Sequence, residues 1–291
     1  MKKIFIILIF SAFFNAGVTE AASIKTIPED PIQGEPLMIQ IDGVNGINDV
    51  AKIIWNKRSL WFYTYDDNPF DSAQGKPTAL IAIDLNQKSG DYKIEVKLEN
   101  KTTLEKIVTI NQREKIEELL GIPAKLGGNT PQAATNLVTN LTKENAVINS
   151  VYSATKRFWS KKFIYPITDP IVTDSYGYLR KTGYYTIPHK GTDFRASEGT
   201  SVLAMNRGVV RLAIESKIYG KTIAIDHGFG VVTYYMHLSK IFVSQGELVK
   251  KGQAIGLSGQ TGYAEVPHLH LSVKINGISI DPITFINLFN N

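Results

Sequence analysis

Between residues 92 and 98 the chain alternates strictly, with Tyr92, Ile94, Val96 and Leu98 on one side and Lys93, Glu95 and Lys97 on the other. A period of two is what an antiparallel strand requires when one face is buried and the other is wet. Similar stretches recur at Leu37–Ile41, Ser59–Tyr65, Ala79–Ile83 and Leu104–Ile110, separated by turn-forming residues. Short strands at this spacing predict a small sandwich over residues 22–112, of the immunoglobulin-like kind. After Asn111 the spacing becomes helical over Glu114–Leu120 and Pro131–Trp159. Thr130 is placed to cap the second piece, Pro131 to open it, and Leu137, Leu141 and Val151 to share a face. Residues 113–162 are therefore expected to be a short helical connector that packs one domain against the other.

From Tyr165 onward strand signals return at Val202–Ala204, Gly208–Ala213, Thr222–Asp226, Val231–Met236, Ala254–Leu257 and Leu269–Val273, with glycine-rich turns between them. No helical pattern interrupts this stretch. The prediction is a mainly β protein whose C-terminal unit, residues 163–291, is an antiparallel β-domain. The N-terminus differs from everything after it: Lys2 and Lys3, an apolar run from Ile4 to Phe14, and small residues around Ala21 and Ala22. That is the layout of a secretory signal over residues 1–21. The run is shorter than the roughly 20 apolar residues of a membrane span. Export to the periplasm, cell envelope or exterior follows, with no transmembrane segment after cleavage. A monomer is expected.

Composition narrows the chemistry. There is no cysteine, which removes disulfides and thiolate ligands and leaves any metal to histidine and carboxylate. The formal charge is +5, and loss of Lys2, Lys3 and Glu20 with the signal leaves +4. This mild excess suits an anionic wall or membrane surface, while its dispersion excludes a nucleic-acid footprint.

All five histidines, at 189, 227, 237, 268 and 270, lie in the last third of the chain. His268-Leu269-His270 in a strand would project both imidazoles from one face. His189 and Asp193 bracket Gly191, which permits the bend needed to aim both at one point. A pair from each segment could build a tetrahedral zinc site with one position open to water, as a catalytic zinc requires.

These residues carry a family likeness. His189-Lys190-Gly191-Thr192-Asp193-Phe194, Asp226-His227-Gly228 with Tyr234-Tyr235-Met236-His237-Leu238, and Ser258-Gly259-Gln260-Thr261-Gly262 before Pro267-His268-Leu269-His270 make residues 165–285 resemble the lysostaphin/LytM-type zinc metallopeptidases. Val266 stands where glycine is common, and Leu271-Ser272 where an aromatic and a glutamate are more frequent. The resemblance implies one zinc ion per chain, held by His189, Asp193 and His270, with His237 and His268 as non-ligand catalytic histidines. It implies peptidoglycan peptide as substrate, cleaved by a zinc-activated water, in a narrow groove where Tyr184, Tyr185, Tyr234 and Tyr235 are candidates for positioning. His227, beside a tight turn, could serve the groove or the structure. The alternative is a non-catalytic wall-binding relative that activates another hydrolase, in which metal residues decay; here all five expected positions are filled. The long N-terminal prefix is expected either to cover the groove and keep the enzyme latent, or to target and space it.

Overall fold

A computed structural model describes residues 21–65, 75–119, 121–160, 162–182 and 185–290. The secretory stretch, except its last residue, and Tyr184 lie outside the described residues. Eight strands form the N-terminal unit: β1 (Ser23–Ile27), β2 (Pro36–Asp42), β3 (Val50–Trp55), β4 (Arg58–Leu60), β5 (Tyr63–Tyr65), β6 (Lys76–Ala82), β7 (Gly90–Leu98) and β8 (Thr103–Ile110). They make two four-stranded sheets, ordered β1-β2-β6-β5 and β4-β3-β7-β8. Leu37, Ile39 and Ile41 of β2 meet Ile53, Ile94, Val96 and Val108 of the other sheet in one core, so the alternation along β7 does mark a buried face. β2 is different. It is buried on both faces because Met38 packs outward, with Leu80 and Tyr63, into the core of the C-terminal unit.

The connector departs from the sequence expectation. Glu117–Leu119 is not helical; it forms β9, which pairs in parallel with β11 (Leu179–Lys181). Residues around it are exposed, so an intrinsic helical spacing found no partner surface to stabilise it. The second helix, α1 (Pro131–Asn149), does open on Pro131, and the Thr130 hydroxyl accepts from Ala133 N. It stops well before Trp159. Trp159 instead packs with Phe163, Phe229 and Tyr63, so aromatic residues on both sides of position 162 belong to one core.

The C-terminal unit contains β10 (Val172–Asp174), β11, β12 (Thr186–Pro188), β13 (Thr192–Arg195), β14 (Ser201–Leu203), β15 (Gly208–Ser216), β16 (Gly220–Gly228), β17 (Val231–Leu238), β18 (Lys240–Ile241), β19 (Leu248–Val249), β20 (Ala254–Leu257), β21 (His268–Ile275) and β22 (Ile278–Ile280). Its main sheet runs β10-β13-β21-β17-β16-β15-β19. One helix was missed by periodicity: α2 (Pro282–Leu288), capped by the Asp281 carboxylate on Ile283 N. Seven residues are too few to show a period, although Asp281-Pro282 is a cap and first-position signal.

Register decides which face of this sheet does what. Leu269, Leu271, Val273 and Ile275 of β21 join Tyr235, Phe194, Phe163 and Phe285 in the core. Complete burial of each such side chain contributes about 1.5–3 kcal/mol. The alternate residues His270, Ser272 and Lys274 face the other way, opposite Met236, Tyr234 and Val232 of β17. α1 lies on that second face: Ile148 packs with Val232, Tyr234 and Met236, and the Tyr234 hydroxyl donates to Ile148 O. Glu144 fastens the helix to the β15–β16 turn, where its carboxylate accepts from Lys217 N, Ile218 N and Tyr219 N at 2.9–3.1 Å and from the Ser216 hydroxyl at 2.8 Å. Among the described residues no helix is long and apolar enough to cross a membrane.

A candidate metal centre

β13 and β21 run antiparallel with Asp193 directly opposite His270 and Arg195 opposite His268. Cross-strand pairing thus brings the carboxylate to the imidazole without any help from a loop. His189 follows β12, and its backbone is tied to Tyr178 and Gly177, which turns the ring back toward β13. Gly191 lies between. A Cβ there would come within 2.4 Å of His270 Nε2 and 2.5 Å of Leu271 O. Glycine is therefore needed for close approach of two strands, not for the bend that its position in the motif suggested.

The result is a tight triangle. His189 Nε2 lies 3.1 Å from His270 Nδ1 and 3.2 Å from Asp193 Oδ1, and His270 Nδ1 lies 2.7 Å from the same oxygen. Ligands held about 2.0–2.1 Å from a tetrahedral ion are separated by roughly 3.3 Å, so two imidazoles and a carboxylate are already spaced for one ion. All three residues are buried. The donor set, hard carboxylate with borderline imidazole, suits a divalent transition metal.

Neighbouring groups aim each ring. His189 Nδ1 donates to Ser175 O at 2.9 Å, leaving Nε2 to face the centre. His270 is set the opposite way round: the Ser272 hydroxyl donates to Lys190 O and so accepts from His270 Nε2 at 2.9 Å, leaving Nδ1 free. Outer hydrogen-bond partners such as this carbonyl and this hydroxyl fix a ligand's tautomer and orientation. The second Asp193 oxygen pairs with Arg180 Nη2 at 2.5 Å, and Arg180 also binds Asp174.

These contacts also set the charges. Burial works against protonating His189, but Asp193 and Asp174 override it and hold its pKa up at about 9. Burial alone would raise Asp193, yet His189 and His270 keep its carboxyl well below the usual range. Burial depresses His270 to about 4 despite Asp193. In the absence of a metal the centre is therefore an ion pair of protonated His189 and ionised Asp193, with His270 neutral.

His237 and His268 stand beside this triangle. Their rings lie 4.9 Å apart, and His237 is 6.0 Å from His270. His268 Nε2 is 3.8 Å from Asp193 Oδ1. Both donate Nδ1–H to a backbone carbonyl, His237 to Thr261 and His268 to Val266, each at 2.9 Å. Each ring is thereby oriented through Nδ1, which leaves Nε2 for other partners. Burial, with the nearby charge of His268, pushes the His237 pKa down to about 3. His237 also has φ 61, a left-handed conformation that costs a non-glycine residue free energy and is typical of functional sites. His189, His237 and His270 open on one cavity of about 390 Å³, whose far wall is Leu137, Leu141 and Asn145 of α1.

Tyr235, a candidate for the groove, and His227, for which groove and structure were both open, lie elsewhere. Tyr235 is completely buried, its hydroxyl accepting from Met205 N and the Thr233 hydroxyl; by strand alternation it faces the core, whereas Tyr234 and Met236 face α1. His227 is also completely buried, bonded to Arg207 O and Thr233 Oγ1, with burial depressing its pKa to about 4. It is a core histidine. Tyr185 is exposed at the β11–β12 turn. Tyr219 and Tyr263 line the cavity instead. Neither they nor Arg180, Asp174 and Ser272 carry a local sequence signal, because their roles arise from contacts between separate segments.

Residues 187–282 match the family model described as Peptidase family M23. The peptidoglycan DD-endopeptidase ShyA of Vibrio cholerae serotype O1 is 44% identical over 90 residues, which are 31% of this chain and 21% of that protein. The DD-carboxypeptidase/endopeptidase Mpg of Neisseria meningitidis serogroup B is 35% identical over 122 residues, 42% of this chain and 28% of that one. The chain thus spans between a fifth and under a third of these relatives' lengths. A Pseudomonas aeruginosa structure assigned to peptidase M23 superposes with TM-score 0.63 over 89% of this chain and 96% of that one at 24% identity, which is a likeness of fold.

Proposed function

We propose, from the premise that residues 187–282 make up a peptidase family M23 domain, that the chain is an exported zinc metalloendopeptidase that hydrolyses peptide cross-links or bridges of bacterial peptidoglycan. The observation that carries this reading is the 2.7–3.2 Å triangle of His189 Nε2, Asp193 Oδ1 and His270 Nδ1, with two further imidazoles beside it. On this reading residues 1–21 are the signal, 22–112 a β-domain, 113–162 a connector and 163–291 the catalytic domain, and the protein works in the periplasm, envelope or exterior.

His189, Asp193 and His270 would hold the zinc. When bound, zinc polarises the scissile carbonyl and makes water a competent nucleophile near neutral pH. His237, kept neutral by burial and anchored through Nδ1 on Thr261 O, offers Nε2 as a base toward the attacking water. His268, anchored on Val266 O and less buried, would offer the oxyanion a hydrogen bond through Nε2–H, and the proton that His237 takes from the water would pass on to the departing amine. Arg180 holds the outer Asp193 oxygen, so the inner one keeps its direction. α1 walls the cavity, and the Glu144 tether would let this connector helix restrict entry and keep the enzyme latent.

Zinc content of purified protein, followed by digestion of isolated wall and mass spectrometry of the fragments, tests this reading. Cleaved cross-links that vanish with chelator and with His270→Ala are expected. Wall binding without fragments, from zinc-loaded protein, would instead identify a non-catalytic activator of another hydrolase.

A further inference from the structure

The cavity that opens on the metal centre continues along β21 past Ser272 to Lys274. Lys274 is 8% exposed. Its ammonium group donates to Asn149 Oδ1 at 2.5 Å and lies 5.6 Å from the centroid of the Tyr234 ring. An ammonium has three protons to give, and among the described residues no carboxylate pairs with this one. Lys190, which lines the same cavity, is close enough to press on it electrostatically: burial and that like charge bring Lys274 down to about 8. Lys190 is exposed and keeps its water, but a buried cation is normally paired, and Lys274 meets Asn149 Oδ1 and the face of the Tyr234 ring rather than a counterion. Asp84 is the acidic side chain on the cavity wall, and it forms no ion pair with either lysine.

We infer that Lys274, assisted by Lys190, forms a receptor for a carboxylate carried by the substrate peptide, at a fixed distance from the bond being cut. The distance comes from the strand. His270 and Lys274 are four residues apart on one face of β21, or roughly 13 Å at about 3.3 Å per residue. A free carboxylate about three to four residues' length from the scissile amide would reach Lys274 with the amide at the metal. This rests on the peptidase reading and adds a substrate class to it: peptides that end, or branch, in an ionised carboxyl group, in preference to neutral bridges. The competing role for Lys274 is structural, as an anchor for the C-terminal end of α1 through Asn149.

The test uses two synthetic branched peptides, identical except that one carries a free carboxylate and the other a primary amide at that distance from the scissile bond. Binding is measured by calorimetry on the chain from residue 22, kept metal-free with chelator so that nothing is cut. The carboxylate peptide should bind about tenfold tighter, the difference expected of one charge-assisted hydrogen bond. Lys274→Met should abolish that difference and leave the amide peptide unaffected, Lys274→Arg should restore most of it, and Lys190→Met should reduce it. Equal affinities in the unmodified chain would overturn the inference. So would a Lys274→Met variant that weakens both peptides alike, which is what loss of helix anchoring predicts. Adding zinc separates the two readings: a retained binding preference with neither peptide cut refutes the peptidase and keeps the receptor, while equal cleavage of both does the reverse.

Discussion

Loading the centre with zinc at pH 6.0 should expel about one proton, and that proton should come from His189. The three ligands begin in different states: His189 is protonated with a pKa of about 9, His270 is neutral with a pKa of about 4, and Asp193 is ionised. Only His189 must therefore lose a proton before its Nε2 can donate to a metal. The sign follows from the raised pKa. Below about 9 the proton competes with the metal, so the logarithm of the apparent affinity should climb by about one per pH unit and flatten as pH passes that value. Calorimetric titration in buffers of different ionisation enthalpy measures the proton count directly as a slope. Working at pH 6.0 keeps titration of the nucleophilic water out of the balance. Asp174→Asn removes one of the two carboxylates that sustain the His189 charge, and should move the plateau to lower pH. A slope near zero at pH 6.0 would mean that His189 is neutral without metal, and the electrostatic account of the centre would be wrong. A slope near two would mean that a second ligand is protonated as well.

Other outcomes follow from the same contacts. His237→Ala and His268→Ala should each lower kcat by about 10²–10⁴-fold with zinc content unchanged, whereas His270→Ala should lose both zinc and activity; metal analysis beside a cleavage assay separates them. Glu144→Ala removes the acceptor for three backbone N–H groups and the Ser216 hydroxyl, so it should cost about 1–3 kcal/mol in urea unfolding and, if α1 restricts entry, raise activity on intact wall. Asp226→Ala should cost about 3–5 kcal/mol by the same assay, because that buried carboxylate binds Arg211, Ser153, Ala154 N and Gly228 N.

Part of the centre was legible in the chain because its logic is local, while the choice of His270 over His268 as ligand came from the family resemblance and not from spacing. His268 and His270 share a face by the period of a strand, and the lack of cysteine with all histidines in one third left few ways to hold a metal. β2, β6, β7 and β8 of the sandwich were legible because a regular strand writes its pattern into the sequence, but β1 and β3 were not read, and Ser59–Tyr65, expected as one strand, divides into β4 and β5 of opposite sheets. What only the tertiary structure decided depends on pairing between distant segments. The choice between Tyr234 and Tyr235 rests on register against β21, and a shift of one residue exchanges the faces. His227 became a core residue because Arg207 O and Thr233 Oγ1 enclose it. Within the stretch expected to be helical, Glu117–Leu119 became a strand because β11 offered an edge to pair with. Arg180, Asp174, Ser272, Glu144 and Lys274 acquired roles from contacts that cross elements, and a single chain read in order carries no record of such contacts.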